Sequence, residues 1–225
     1  NLWRSTRPDP AGIDALVALL LKSKNPAIVA GDDVARSGGE EALVALAEAI
    51  GATVWFEGLR HHAPFPTSHP SYRQSVPGDA RQVRKALGDT DLVLLIGGPF
   101  FEDIWFAPGG HIPDGAALLQ IEASAERLAL NNRLDAGIVG DIAVSLGALT
   151  DALRAKAGAA FRDAAQGRNA MLAELQRKEK DAYRARVEKG WDREPSSMPR
   201  VTAELRRGLP DDVVIVDESI TASLD

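Results

Sequence analysis

The sequence contains no cysteine, which excludes disulfides and thiolate-held zinc and is compatible with a reducing compartment. Nor has it a long apolar run. The longest spans residues 15–21, far short of the roughly 20 residues a membrane helix needs. No signal-like apolar segment follows Asn1, so a cytoplasmic protein without a membrane partner is the expectation. Positive charge is in the minority: 26 Lys and Arg against 32 Asp and Glu leave a net charge of -6 and a pI near 5.3. That balance argues against a nucleic-acid surface or a polybasic membrane patch. Missing too are the G-x-G-x-x-G, Walker, nucleophile-elbow and H-E-x-x-H signatures. The usual sequence marks of dinucleotide binding, phosphoryl transfer, acyl transfer and zinc hydrolysis are therefore absent, and no metal ligands are assigned.

What is present is a buried-strand signal in the middle of the chain. Residues 91–101 read D-L-V-L-L-I-G-G-P-F-F. Five apolar residues in a row are too few for an ordinary helix and lack the alternation of a half-wet strand, so 92–96 is a strand covered on both faces and placed mid-sheet. Gly97 and Gly98 follow at its carboxyl end, where an open parallel sheet leaves its ligand crevice. Elsewhere the chain alternates. Asp9-Pro10 opens an amphipathic helix, residues 27–30 form a short strand closing on Gly31-Asp32-Asp33, and a helix over 40–50 stops at Gly51 before a strand over 53–56. Asp79 caps a further helix, and strands at 117–121 and 137–140 flank a short helix expected from Ser124. Asp141 caps the helix after them.

This alternation predicts an α/β fold, a doubly wound, mostly parallel sheet of five to six strands between two helical layers, over residues 1–156. Residues 157–198, alanine-rich and charged, read as a helical linker. Residues 199–225 read as the truncated start of another domain, because V-V-I-V at 213–216 suggests a buried strand that needs a further sheet to cover it. Asn1 and Asp225 are accordingly expected to be ends cut from a longer polypeptide.

Residues 57–78 show no periodicity and read as a long loop of the kind that often carries function. Of the four histidines, His61 and His62 are adjacent and point apart on extended backbone, and His111 reads as a surface residue. His69 stands apart in P-T-S-H-P, where Pro70 holds its backbone away from the helical region. An imidazole presented in that way either shuttles protons near neutral pH or is merely solvated. Gly31, Gly97 and Gly98 are candidates to approach a nucleotide, although the acidic residues after Gly31 repel phosphate.

Three segments carry a resemblance: N-P-A-I-V-A-G-D-D-V from Asn25, A-P-F-P-T-S-H-P-S-Y-R from Ala63, and the stretch from Asp91. Together they resemble the central domain of thiamine-diphosphate enzymes of the benzoylformate-decarboxylase type, in order from about residue 10 to about 155. A weaker likeness runs from Leu209 into that family's diphosphate-binding domain. The resemblance implies a 2-oxo acid decarboxylase dependent on thiamine diphosphate and Mg2+, of which this chain is an inactive piece holding no tightly bound cofactor. By it, His69 falls on an active-site histidine, and Ser219 and Thr221 fall near the diphosphate, with Ile220 between them departing from the decarboxylase pattern. Glu218 reads as a local cap or pair. The implied partners are the flanking domains of the same polypeptide, a homo-oligomer, commonly a tetramer, and a small 2-oxo acid. The same central domain serves acetolactate synthases and oxalyl-CoA decarboxylases, so FAD, ADP or a CoA nucleotide at Gly31 and Gly97, or a purely structural spacer, are the alternatives.

Overall fold

In a computed structural model, residues 6–103, 105–210 and 212–215 are described. The chain divides into two compact units, Asn1–Ala173 and Glu174–Asp225. The first is built on β4 (Leu92–Ile96), buried along its whole length and flanked by β1 (Pro26–Ala30) and β5 (Ala117–Glu122) in parallel register. Beyond them lie β2 (Thr53–Phe56), β3 (Tyr72–Ser75) and β6 (Ala136–Val139). The six strands run in the order β3-β2-β1-β4-β5-β6, and every pairing is parallel.

Side-chain alternation along each strand sorts the core into two layers. Ile28, Val54, Phe56, Leu94, Ile96, Leu119 and Ile121 pack beneath α1 (Pro10–Leu20), α3 (Glu40–Ile50) and α5 (Ile142–Lys156). Ala27, Val29, Trp55, Val93, Leu95 and Leu118 face α4 (Ala80–Leu87) and Phe100. The expected three-layer α/β fold is therefore formed. Its helices begin where the sequence places caps: the Asp9, Asp79 and Asp141 carboxylates each accept from a backbone N–H of the first turn. Gly51 ends α3 in the left-handed region.

Three local expectations are corrected. The loop at 57–78 contains edge strand β3, whose Tyr-Arg-Gln-Ser sequence shows no apolar alternation because an edge strand is half exposed. The helix expected from Ser124 is a run of turns, while a four-residue helix, α2 (Asp33–Arg36), follows β1. Of the stretch 213–216, the described residues 213–215 are not in a strand. Val214 is 85% exposed, and a strand without a hydrogen-bonded neighbour has nothing to hold it extended.

α6 (Ala159–Lys189) is a single 31-residue helix. Its first turns are docked: Arg168 donates to Ile50 O and Gly51 O at 2.8 and 3.3 Å, and Asn169 to Glu48 O at 2.8 Å. The bonds to Ile50 and Gly51 satisfy carbonyls at the C-terminus of α3, while Glu48 O, which also accepts from Gly51 N, takes Asn169 as a second donor. In the second unit, α7 (Met198–Gly208) is capped by Ser197, and Trp191 stacks against the guanidinium groups of Arg200 and Arg207. No helix among the described residues is long and apolar enough to cross a membrane.

Candidate functional site

The strand order reverses between β1 and β4, which places the topological switch point at their carboxyl ends. Gly31 and Gly97 meet there. A Cβ on Gly31 would stand 2.3 Å from Gly97 O, and Gly97 itself has φ +68°. Gly31 N donates to Ile96 O, and Asp33 N to Gly97 O. The missing Cβ atoms thus let two backbone turns close on each other.

Around this contact lies a set of ionisable groups, of which Glu57, Glu122 and Arg127 carry no assignment in the sequence. Glu122, at the end of β5, is fully buried and accepts from Gly98 N and Gln120 Nε2, both at 3.1 Å. Arg127 donates to Gly98 O at 2.7 Å, lies 3.4 Å from Glu122 and pairs with Asp33. Burial pushes the Glu122 carboxyl above the usual range, against the pull of Arg127. Glu57, at the end of β2, is 3% exposed and accepts from Gly58 N and Phe101 N. Burial raises its carboxyl as well. Asp32 behaves in the opposite way: burial tends to raise it, but the His61 and His62 backbone N–H groups, the His61 ring and Arg36 together hold it below the carboxylate norm. His61 and His62 therefore converge on one carboxylate, to which His61 Nδ1 lies 3.1 Å and His62 Nδ1 3.6 Å.

A cavity of about 30 Å³ sits beside Glu122, lined by Leu95, Phe100, Gln120 and Arg127. That is room for about one water, whereas small-molecule sites take roughly 300–1,000 Å³. The crevice holds backbone and arginine, and its rim is carboxylate. Among the described residues no group of three or more His, Asp or Glu is placed to hold a metal ion.

His69 lies at the opposite end of the sheet, three residues before Tyr72, which pairs with Val54 at the start of β2. Gly31, Gly97 and Gly98 are thus brought together, and His69 is not with them. A tight turn sets its backbone: His69 N donates to Pro66 O, and Tyr72 N donates to His69 O, both at 3.0 Å. Its ring stands edge-on to buried Phe65, with centroids 5.0 Å apart. Ser71 N donates to Nδ1 at 3.1 Å, and Nε2 is 3.3 Å from Glu48 Oε1. Since Nδ1 accepts, the proton of the neutral ring is assigned to Nε2, facing Glu48. His111 pairs with Asp103 and stacks on Phe101. Ser219 and Thr221, together with Glu218 and Ile220, lie outside the described residues.

Glu122 carried a readable signal, a carboxylate closing the apolar run A-L-L-Q-I-E with an arginine five residues on. Glu48 carried none, being one acid among several on the polar face of α3.

Comparison with known proteins matches residues 13–149 to the thiamine pyrophosphate enzyme central domain. The chain is 35% identical over 150 residues to benzoylformate decarboxylase of Pseudomonas aeruginosa, covering 67% of this chain and 28% of that protein. It is 29% identical over 158 residues to a sulfoacetaldehyde acetyltransferase of Rhodobacter capsulatus, covering 67% of this chain and 26% of the relative. The crystal structure of benzoylformate decarboxylase from Polynucleobacter necessarius superposes with a TM-score of 0.63 at 26% identity, over 67% of this chain and 28% of that one. The chain thus spans little more than a quarter of the length of these relatives. With the family model covering more than half its length and the same sheet in a solved relative, the chain belongs to the thiamine pyrophosphate enzyme central-domain family.

Proposed function

We propose that this domain serves a thiamine-diphosphate- and Mg2+-dependent decarboxylase of a 2-oxo acid, in which His69 is the proton-handling group that the domain contributes. The observation carrying this reading is the imidazole of P-T-S-H-P itself, with both ring nitrogens engaged and its side chain 18% exposed. It is held in one orientation yet still reachable. An imidazole so placed suits proton transfer, because one ring nitrogen can accept a proton while the other gives one up. The similarity to benzoylformate decarboxylase favours decarboxylation over the acetyl transfer of the second relative.

Thiamine diphosphate, when bound, supplies the electron sink that lets a 2-oxo acid lose carbon dioxide. The described residues do not fit its diphosphate: the switch-point crevice is closed by Gly31 against Gly97 and rimmed by Asp32, Asp33, Glu57 and Glu122. On this reading the cofactor is cradled by other parts of a longer cytoplasmic polypeptide, acting as a homo-oligomer, and the 225-residue chain alone is inactive. The nucleotide alternative draws on the strand order but finds the same closed, acidic crevice. The spacer alternative leaves the engagement of His69 unexplained.

The test is His69→Ala in the full-length protein, with carbon dioxide release followed from benzoylformate and other 2-oxo acids. The expected loss in kcat is roughly 100-fold or more, the scale of a general acid–base residue. An unchanged kcat would overturn the assignment.

A further inference from the structure

Resting on the role proposed for His69, we infer that Glu48 is its positioning residue, and that Ser71 N–H and Glu48 together fix which nitrogen the ring presents. Three observations carry this. First, the two contacts fall on opposite nitrogens, at 3.1 Å to Nδ1 and 3.3 Å to Nε2. A backbone N–H has no other role than donor, so Nδ1 is bound to accept, and the single proton of the neutral ring sits on Nε2. Secondly, the two partners come from elements that the fold fixes independently. Glu48 lies in the last turn of α3, where its own carbonyl is tied by Asn169. Ser71 is 2% exposed and its carbonyl accepts from Val54 N at 2.8 Å, anchoring it to the sheet. Thirdly, the Glu48 side chain is 58% exposed. Packing therefore does not require a carboxylate there, and its visible partner is the imidazole.

Proton counting makes Glu48 more than a spectator. A neutral ring that gave up its Nε2 proton would become an imidazolate, so delivery requires a ring protonated at both nitrogens. In that form the ring has to shift off the anchored Ser71 N–H, while the Glu48 carboxylate becomes the partner of an ion pair. Glu48 thus holds Nε2–H in place in either state until an acceptor displaces it. The carboxylate touches no reacting atom and acts through His69 alone.

The experiment has two arms. In the 225-residue chain labelled with 15N-histidine, long-range 1H–15N spectra should show His69 as the Nε2–H tautomer. Glu48→Gln, which keeps an acceptor oxygen, should preserve that pattern, and Glu48→Ala, with Ser71 N–H still holding Nδ1 as acceptor, should shift and broaden the Nε2–H resonance while leaving the other three histidines and the melting temperature unchanged. In the full-length protein, Glu48→Ala should lower kcat about tenfold or more with KM little altered, Glu48→Gln should restore it to within about threefold, and Glu48→Ala added to His69→Ala should cost nothing further. A His69 Nε2–H resonance indifferent to Glu48→Ala, or a kcat unchanged in that variant, overturns the role of Glu48 even if His69→Ala is inactive. Full activity of His69→Ala instead overturns the function on which the inference rests.

Discussion

Glu57 places a carboxylate where water barely reaches it, and two backbone N–H groups do not fully replace the lost hydration. Burial therefore favours the protonated form in the folded chain. The sign follows from linkage: the contribution of such a group is fully present below the unfolded value of 4.5 and is lost as pH rises through the raised folded value. Thermal unfolding measured upward from pH 4.5 should thus show a decline in stability that is shallower in Glu57→Gln. The variant should also be less stable by about 1–3 kcal/mol at low pH, because an amide cannot accept from both Gly58 and Phe101. Parallel pH profiles would contradict this. At this scale His69 was legible, since two prolines mark it in the sequence. Its partner Glu48 was not, because a helical acid 21 residues away becomes a neighbour only once α3 has folded back along the sheet.

The elements hold together through the close approach of β1 and β4. Adding one methyl group at Gly31 brings it within 2.3 Å of Gly97 O and 3.0 Å of Gly98 Cα, atoms of backbone that cannot rotate away. Gly31→Ala is expected to destabilise the first unit by about 1–3 kcal/mol in urea unfolding, the usual scale of overpacking; a change near zero would mean the turns are looser than described. The double glycine after β4 was readable from sequence as a place where backbone comes close. What approaches it was not, because both the other turn and Arg127 arrive from distant positions in the chain. Edge strand β3 was invisible for a related reason: its residues follow no apolar period and it is defined by pairing with β2.

At the scale of the whole molecule, the first half of α6 belongs to the sheet-bearing unit, which extends to Ala173. Ala165 is 3% exposed, and Arg168 and Asn169 close the end of α3. The boundary expected at 156 was drawn where the apolar pattern weakens, yet alanines and an arginine dock α6 with little apolar surface of their own. A fragment of residues 1–156 is therefore expected to unfold at lower urea than residues 1–173, by roughly 1.5–3 kcal/mol for the charged hydrogen bonds removed. Equal midpoints would place the stable unit at the shorter length.

The sequence by itself determined whatever depends on near neighbours in the chain: buried strands from unbroken apolar runs, helix starts from Asp9, Asp79 and Asp141, the αL stop at Gly51, and the stiff presentation of His69. Only the tertiary structure decided that Glu48 meets His69, that Arg127 bridges Asp33 and Glu122, and that Gly31 closes on Gly97. Apart from that of Arg127 with Glu122, five residues away, those contacts span 21 to 94 residues. They are set by which strand lies beside which, an outcome of burying the whole sheet that no local stretch of sequence encodes.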